Sequence, residues 1–155
     1  TEGFIKYLLT EIPDPSRFEI ELTENVKADL CFLQDVTQCL QKNGFSISLD
    51  DFGNGYSSMN YLTALELNVV KIDKVLVQRA LHGRASSLIL ETLMTLCHTL
   101  ECQVVCEGIE TQDMFNMATK MGADRLQGYF LSHPVNLEKA LEVLSLSEGR
   151  LIKAA

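Results

Sequence analysis

The chain has 155 residues, which is the size of one ordinary domain. Its 13 lysines and arginines against 21 aspartates and glutamates leave a net charge of −8, which disfavours polymeric DNA or RNA and anionic membrane surfaces as partners. With 46% apolar residues, 9 glycines and 3 prolines, the composition also excludes the disordered and low-complexity classes.

The cysteines and the hydropathy pattern indicate a compartment. The five cysteines are odd in number, lie in apolar stretches and form no C-x-x-C pair, which is typical of reduced thiols in the cytoplasm. No apolar run reaches the roughly 18 residues of a membrane span. We therefore expect a cytoplasmic domain without direct membrane contact, and any membrane anchor of a parent protein would lie outside these residues.

Apolar periodicity and turn residues predict strands and helices that alternate along the chain. The predicted strands are residues 17–22, 45–50, 69–72, 103–107 and 125–129. The predicted helices are residues 4–10, a stretch after Thr23–Asn25 that runs to about Lys42, 59–65, 86–100, a helix capped by Thr111 that runs to Met121, and 136–144. Strands that alternate with helices form parallel sheets with right-handed crossovers, so the predicted fold class is α/β.

Two architectures fit this alternation, a doubly wound open sheet and a (β/α)8 barrel. The carboxyl ends of the strands favour the barrel, because its mouth would gather all their polar residues, whereas an open sheet would spread them along a line. A complete barrel takes eight βα units and about 250 residues. We therefore predict an incomplete TIM-barrel-like fold that lacks about three N-terminal units. The polar residues are Glu21, Asp50 with Asp51, Lys71 with Asp73, Glu107 with Glu110, and Gln127.

Four carboxylates at this predicted mouth indicate a metal site. Each of them alone could cap a helix. Asp50 and Asp51, however, stand side by side after an apolar strand, where repulsion and burial are costly unless a cation compensates them. Glu21 and Glu107 add two more carboxylates. Oxygen ligands favour hard ions, so we expect Mg²⁺ or Mn²⁺.

Lys71 ends an apolar strand, where an ammonium is costly unless it faces carboxylates or phosphate. As a structural residue it would pair with Asp73 or Glu110. At a two-metal site it could instead orient or deprotonate the attacking water.

The glycines of Gly53–Gly55 alone are weak evidence for phosphate binding. The three histidines share no spacing, and we interpret them as surface or packing residues: His82, His98 and His133.

Five motifs together resemble the ordered signature of EAL domains, the bacterial phosphodiesterases of the signalling dinucleotide cyclic di-GMP. They extend from residue 21 to residue 134, so the resemblance covers nearly all of the chain, and it implies a barrel. The motifs are Glu21-Leu22-Thr23-Glu24, Asp50-Asp51-Phe52-Gly53-Asn54-Gly55-Tyr56-Ser57-Ser58, Lys71-Ile72-Asp73, Glu107-Gly108-Ile109-Glu110, and Gln127-Gly128-Tyr129 followed by Pro134.

The resemblance also implies roles for single residues. Glu21 and Asp50 would bind one metal, and Asp50, Asp51 and Glu107 would bind a second, with Asp50 bridging the two. The catalytic set would be Lys71 beside the attacking water, Glu107, Glu110 near Lys71, and Gln127 near the nucleophile. Glu24 would steady the loop of residues 51–58, which in the family couples the site to dimer contacts. The substrate-side residues of that loop would be Phe52, Gly53, Gly55 and Ser57.

The chain departs from the family pattern at several points. The Glu-Ala-Leu motif of the first strand and an Asn of a later strand, both ligands of the first metal in the family, do not occur in this chain. Residues 1–155 are therefore interpreted as the C-terminal part of an EAL domain. Asn54 stands where the loop more often has Thr, and Cys106 where Ala is usual. Neither position is a ligand in the family, so both changes are expected to be tolerated.

Three functions compete at this stage. The leading hypothesis is a homodimeric cyclic di-GMP phosphodiesterase that uses two Mg²⁺ or Mn²⁺ ions and opens the substrate to linear pGpG. This chain alone is expected to be inactive or impaired. The alternative is a noncatalytic EAL-like module that binds cyclic di-GMP or a protein partner. An unrelated Mg²⁺-dependent barrel enzyme would share the carboxylates, but it does not predict the ordered motifs.

Overall fold

The computed structural model describes residues 2–23, 29–53 and 58–147. Its sheet has five strands that are hydrogen-bonded in chain order, and every neighbouring pair is parallel. This confirms the predicted α/β class. The strands are β1 (Glu19–Thr23), β2 (Ser46–Phe52), β3 (Val69–Ile72), β4 (Gln103–Cys106) and β5 (Arg125–Leu126).

Helices connect the strands, and side-chain caps begin four of the described helices. Each capping oxygen accepts at least one hydrogen bond from a backbone N–H group in the first turn of the helix that follows, and the capping residues are Asp29, Asp73, Thr111 and Asn136. The helices are α1 (Glu2–Glu11), α2 (Leu30–Lys42), α3 (Ser58–Ala64), α4 (Lys74–His82), α5 (Arg84–Thr99), α6 (Gln112–Met121) and α7 (Leu137–Ser147), with a 3-10 turn at Pro15–Arg17.

The prediction differs from the structure in two elements. It omitted α4, although Asp73 caps this helix and Val77 and Ala80 lie buried three residues apart on one face. It also extended the last strand to Tyr129, whereas β5 has two residues. The chain turns after β5 because the Gln127 carbonyl accepts from Ile109 N–H and the carbonyl of Gly128 accepts from Leu131 N–H.

The core lies on both faces of the central strands. All four residues of β3 are buried, as expected when helices cover one face of a parallel sheet and the barrel interior the other. The five cysteines are free, and three of them are buried in this core. Burial raises the pKa of Cys97 and Cys106 to about 12, so both remain protonated.

An ion pair shows that the sheet is curled. Arg125 Nη1 of β5 lies 3.8 Å from Glu19 Oε2 of β1, although these strands are at opposite ends of the strand order. In a flat sheet, four spacings of about 4.8 Å would hold them about 19 Å apart, beyond the reach of two side chains. The five units therefore form part of a barrel wall, which supports the barrel over the open sheet.

Among the described residues, no helix is both long and apolar enough to cross a membrane.

Candidate active site

A β-bulge brings two consecutive aspartates to the same edge of the sheet. The pairing of β2 with β3 shifts register between Leu49 and Phe52, and Asp51 has a φ of 56°. In a regular strand, successive side chains point to opposite faces, so Asp50 and Asp51 would diverge. The bulge allows carboxylate oxygens of Asp50, Asp51 and Glu107 to lie within 4.8 Å of one another. Positive φ is rare for residues other than glycine and is often found at functional sites.

Lys71 lies at the centre of the carboxylates. Its Nζ donates to Asp50 Oδ1 at 2.8 Å and to Glu21 Oε1 at 3.1 Å, and it lies 2.9 Å from Glu107 Oε1. The prediction that Lys71 pairs with Asp73 or Glu110 as a structural residue is therefore wrong. Asp73 instead caps α4 through Val75 N–H.

The ammonium of Lys71 is held in its charged form. Burial acts to lower the pKa of Lys71, but the hydrogen bonds with Asp50, Glu107 and Glu21 outweigh burial and raise the pKa above its ordinary value. Lys71 is therefore a fixed positive charge among three carboxylates, and it supplies hydrogen-bond donors rather than a base in this arrangement.

Two glycines fix the loops that carry Glu107, Glu110 and Gln127. A Cβ on Gly108, which has a φ of 63°, would lie 2.2 Å from the Cβ of Lys74. A Cβ on Gly128 would lie 2.1 Å from the carbonyl oxygen of Ile109. Both positions require glycine because the loops after β4 and β5 pack backbone against backbone or against the start of α4.

A cleft of about 500 Å³ opens at this end of the sheet. Its volume lies within the usual range for small-molecule sites. It joins three of the predicted carboxylates, Asp51, Glu107 and Glu110, to residues of the loop after β5. The lining residues are Asp51, Asp73, Lys74, Glu107, Gly108, Glu110, Gln127, Gly128, Tyr129, Ser132, His133 and Pro134.

The structure therefore brings most of the predicted site together, with one correction. Glu21, Asp50 and Glu107 meet at Lys71, while Glu110 and Gln127 line the cleft. Phe52 was assigned to the substrate side of the loop, but its side chain is 1% exposed and belongs to the core. Gly53 begins the loop, with a φ of 97°. The predicted residues Glu24, Gly55 and Ser57 lie outside the described residues.

Several side chains that line the cleft have no role in the sequence-based prediction, and Lys74, Tyr129 and His133 are the largest of them. Lys74 is the first residue of α4, the helix that was omitted. Tyr129 belongs to one of the five motifs, but the resemblance implies no role for it. His133 was interpreted as a surface or packing residue, yet its ring stacks on that of Tyr129, with centroids 4.4 Å apart. The four-residue spacing of the two aromatic rings was a signal, but only the turn between them brings the rings together.

The carboxylates fit a hard divalent cation. Asp50, Asp51 and Glu107 offer oxygen atoms close enough to share one ion, and each side chain is partly buried. The ammonium of Lys71 already occupies a cation position against two of these carboxylates. The sheet is parallel and curled, and an acidic cluster that attracts cations lies at the carboxyl ends of its strands. These two features define the class as a barrel protein whose mouth is suited to metal-assisted chemistry.

Comparison with known proteins places this barrel in a family. The chain matches the family model of the EAL domain over residues 1–134, and it belongs to the EAL domain family.

Relatives at the levels of sequence and structure agree with this assignment. The bifunctional diguanylate cyclase/cyclic di-GMP phosphodiesterase MucR of Pseudomonas aeruginosa is 34% identical over 137 residues, which are 86% of this chain and 20% of MucR. The EAL domain of Mycobacterium smegmatis DcpA superposes with a TM-score of 0.87 at 27% identity, covering 97% of this chain and 69% of that one. Klebsiella pneumoniae BlrP1, in a manganese and cyclic di-GMP complex, gives a TM-score of 0.76 at 28% identity, covering 86% and 34%.

Proposed function

We propose that the protein hydrolyses cyclic di-GMP to linear pGpG in bacterial second-messenger signalling, with Mg²⁺ or Mn²⁺ as cofactor. The observation that carries this proposal is the cluster of Glu21, Asp50 and Glu107 around Lys71, with Asp51 brought in by the bulge. The relative MucR is a cyclic di-GMP phosphodiesterase, which supports the proposed substrate. The structure of BlrP1 in complex with manganese and cyclic di-GMP supports both the substrate and the metal.

Each residue of the cluster has a proposed task. Asp50, Asp51 and Glu107 would hold one ion, and Glu21 with Asp50 would contribute to a second. Bound divalent ions supply an activated water and neutralise charge on the phosphodiester. Lys71 donates hydrogen bonds from a fixed ammonium, so it can orient an oxygen nucleophile. Further residues with proposed roles are Glu110 and Gln127, which line the cleft, and Glu24, which would steady the loop that follows Asp51.

The chain is proposed to act as the C-terminal part of a larger barrel domain. Its described residues contribute five strands, whereas a complete barrel has eight. The remaining ligands of the first metal would then come from a Glu-Ala-Leu motif and an asparagine encoded upstream. We further propose a cytoplasmic location and a homodimer.

The test is an assay of the encoded protein together with its upstream segment. Purified protein is incubated with cyclic di-GMP and Mg²⁺ or Mn²⁺, and the products are separated by chromatography. The proposal predicts linear pGpG, and it predicts that a chelator stops its formation. No turnover at saturating substrate with either metal would contradict the proposal.

One observation favours a second candidate, a noncatalytic module that binds cyclic di-GMP or a protein. The Lys71 ammonium compensates part of the charge on Glu21, Asp50 and Glu107, so the cluster carries less unbalanced negative charge than three free carboxylates would. Calorimetry with cyclic di-GMP separates the two candidates, because saturable binding without product would support the module and contradict the hydrolase.

A further inference from the structure

A buried hydroxyl in the middle of the sheet has no hydrogen-bond partner. Ser48 lies in β2 and is 0% exposed. Its Oγ is the one buried side-chain polar atom that lacks a partner among the residues that the structure describes. Buried polar groups are nearly always hydrogen-bonded, because a buried donor without an acceptor destabilises the fold. Stability alone therefore does not account for a serine at this position.

The strand pairing places Ser48 beneath the carboxylates. Side chains two residues apart on a strand point to the same face, so Ser48 shares the inner face with Asp50, about 6.6 Å further along β2. Ser48 pairs with Glu21 on β1 and with Val69 on β3, which offers no acceptor on its side chain. The Asp50 side chain is 19% exposed, against 49% for Glu21, so Asp50 is the carboxylate that shares the buried interior with Ser48.

The Lys71 ammonium holds the neighbouring carboxylates in an arrangement that leaves the hydroxyl unpaired. It donates to Oδ1 of Asp50 at 2.8 Å and to Oε1 of Glu21 at 3.1 Å. No acceptor among the described residues then lies within hydrogen-bond distance of Ser48 Oγ. A carboxylate has two oxygens with about four lone-pair sites, so it can bind a metal ion and still accept a hydrogen bond from a hydroxyl.

We propose that Ser48 is a positioning residue for divalent-cation binding, and that its hydroxyl donates to the Asp50 carboxylate when a cation rather than Lys71 holds that side chain. The inference rests on the proposed function and adds to its metal site a residue that lies outside the motifs and the cleft. Donors behind metal-ligating carboxylates fix their orientation and raise the affinity for the metal. A hydroxyl that is unfavourable in the metal-free fold is then favourable in the metal-bound one.

The test compares the Mn²⁺ affinity of Ser48→Ala with that of the wild type by calorimetry, in the same protein that is assayed for turnover. Ser46→Ala is the matched control, because Ser46 lies on the same face of β2 but two residues further from the carboxylates. The positioning role predicts an affinity about 10-fold lower in Ser48→Ala and an unchanged affinity in Ser46→Ala. The turnover rate of Ser48→Ala at saturating Mn²⁺ should stay close to that of the wild type, since every proposed ligand is kept.

Thermal unfolding in the presence of a chelator separates positioning from a structural role. The Ser48 hydroxyl has no partner in the metal-free fold, so Ser48→Ala should have the same Tm as the wild type or a higher one. A lower Tm in chelator, or an unchanged Mn²⁺ affinity, would overturn the positioning role while leaving the hydrolase intact. A wild type that does not bind Mn²⁺ would overturn both. Mn²⁺ binding without turnover would contradict only the hydrolase, and the comparison of affinities would still decide the role of Ser48.

Discussion

The two ends of the sheet use polar residues in different ways. At the amino end, polar side chains pair with backbone groups or with one another. Asp124 Oδ2 accepts from Val104 N–H at 2.7 Å and lies 2.9 Å from His98 Nε2. Asn68 Oδ1 accepts from Ile47 N–H at 2.8 Å. These groups hold the starts of β2 and β4 in place.

At the carboxyl end, three carboxylates share one ammonium. Glu21, Asp50 and Glu107 all meet Lys71, which gives three negative charges to one positive charge. A non-glycine residue, Asp51, adopts positive φ in the same cluster. The comparison shows that these polar groups have partners at the amino end, whereas negative charge exceeds positive charge in the cluster at the carboxyl end. An added cation would be stabilised there.

The largest expected effect is that of Asp50→Asn. Asp50 lies in the group of three carboxylates and also pairs with Lys71, so its charge contributes both to the candidate metal site and to the ion-pair cluster. We expect turnover of cyclic di-GMP to be abolished while the fold is retained, as measured by product release and circular dichroism. Asp35→Asn, at an exposed position on α2, is the control and should keep full activity. Retained turnover in Asp50→Asn would refute the assigned role.

Gly128→Ala should have the next largest effect. The added Cβ would lie 2.1 Å from the Ile109 carbonyl oxygen, so the loops bearing Glu110 and Gln127 must separate. Overpacking of this kind costs about 1–3 kcal/mol in the free energy of unfolding. We expect a lower Tm and reduced turnover. Gly83→Ala is the control, because its Cβ would meet nothing closer than 3.5 Å. Equal Tm values for the two variants would show that the loop contact is not tight.

A change at the amino end should affect stability alone. Burial acts to raise the pKa of Asp124, but hydrogen bonds from Val104 N–H and His98 outweigh burial and hold the pKa below its ordinary value of 3.8. Because the pKa of Asp124 is lowered in the folded state, its ionised carboxylate stabilises the fold at pH values above 3.8. This stabilisation is lost as the pH falls through the lower pKa of the folded state.

Because the Asp124 side chain is 40% exposed and solvent screens its charge, Asp124→Asn should cost less than about 1 kcal/mol at neutral pH and progressively less in strong acid. Urea unfolding at several pH values measures this difference, and the assay of pGpG release should show unchanged turnover. A large loss of turnover in Asp124→Asn would contradict the conclusion that the amino end of the sheet contributes only to stability.

Much of this arrangement could be predicted from the sequence because it depends on local pattern. Alternating elements indicated a parallel sheet, and the parallel direction placed Glu21, Asp50 and Glu107 at one edge. The bulge at Asp50–Asp51 could not be predicted, since it depends on the pairing with β3. Nor could the partners of Lys71, which are 50 residues away in the case of Glu21.

Other parts of the site depended on contacts that no local pattern contains. Phe52 has the loop motif on its carboxyl side, but the continuation of β2 buries it in the core. His133 stands four residues after Tyr129, but this spacing predicts a contact only in a helix or a tight turn, and the turn at Gly128 brings the two rings together. Errors of this kind arise where side-chain direction is set by tertiary packing.

The central claim is that the carboxyl end of the sheet binds a divalent cation through its excess of carboxylates. Calorimetric titration of the protein with Mn²⁺ tests this claim most directly, with Asp51→Asn as the site variant and Asp35→Asn as the control. We predict saturable binding by the wild type and by Asp35→Asn, and an affinity at least about tenfold lower in Asp51→Asn. Equal Mn²⁺ affinity in all three proteins would contradict the account.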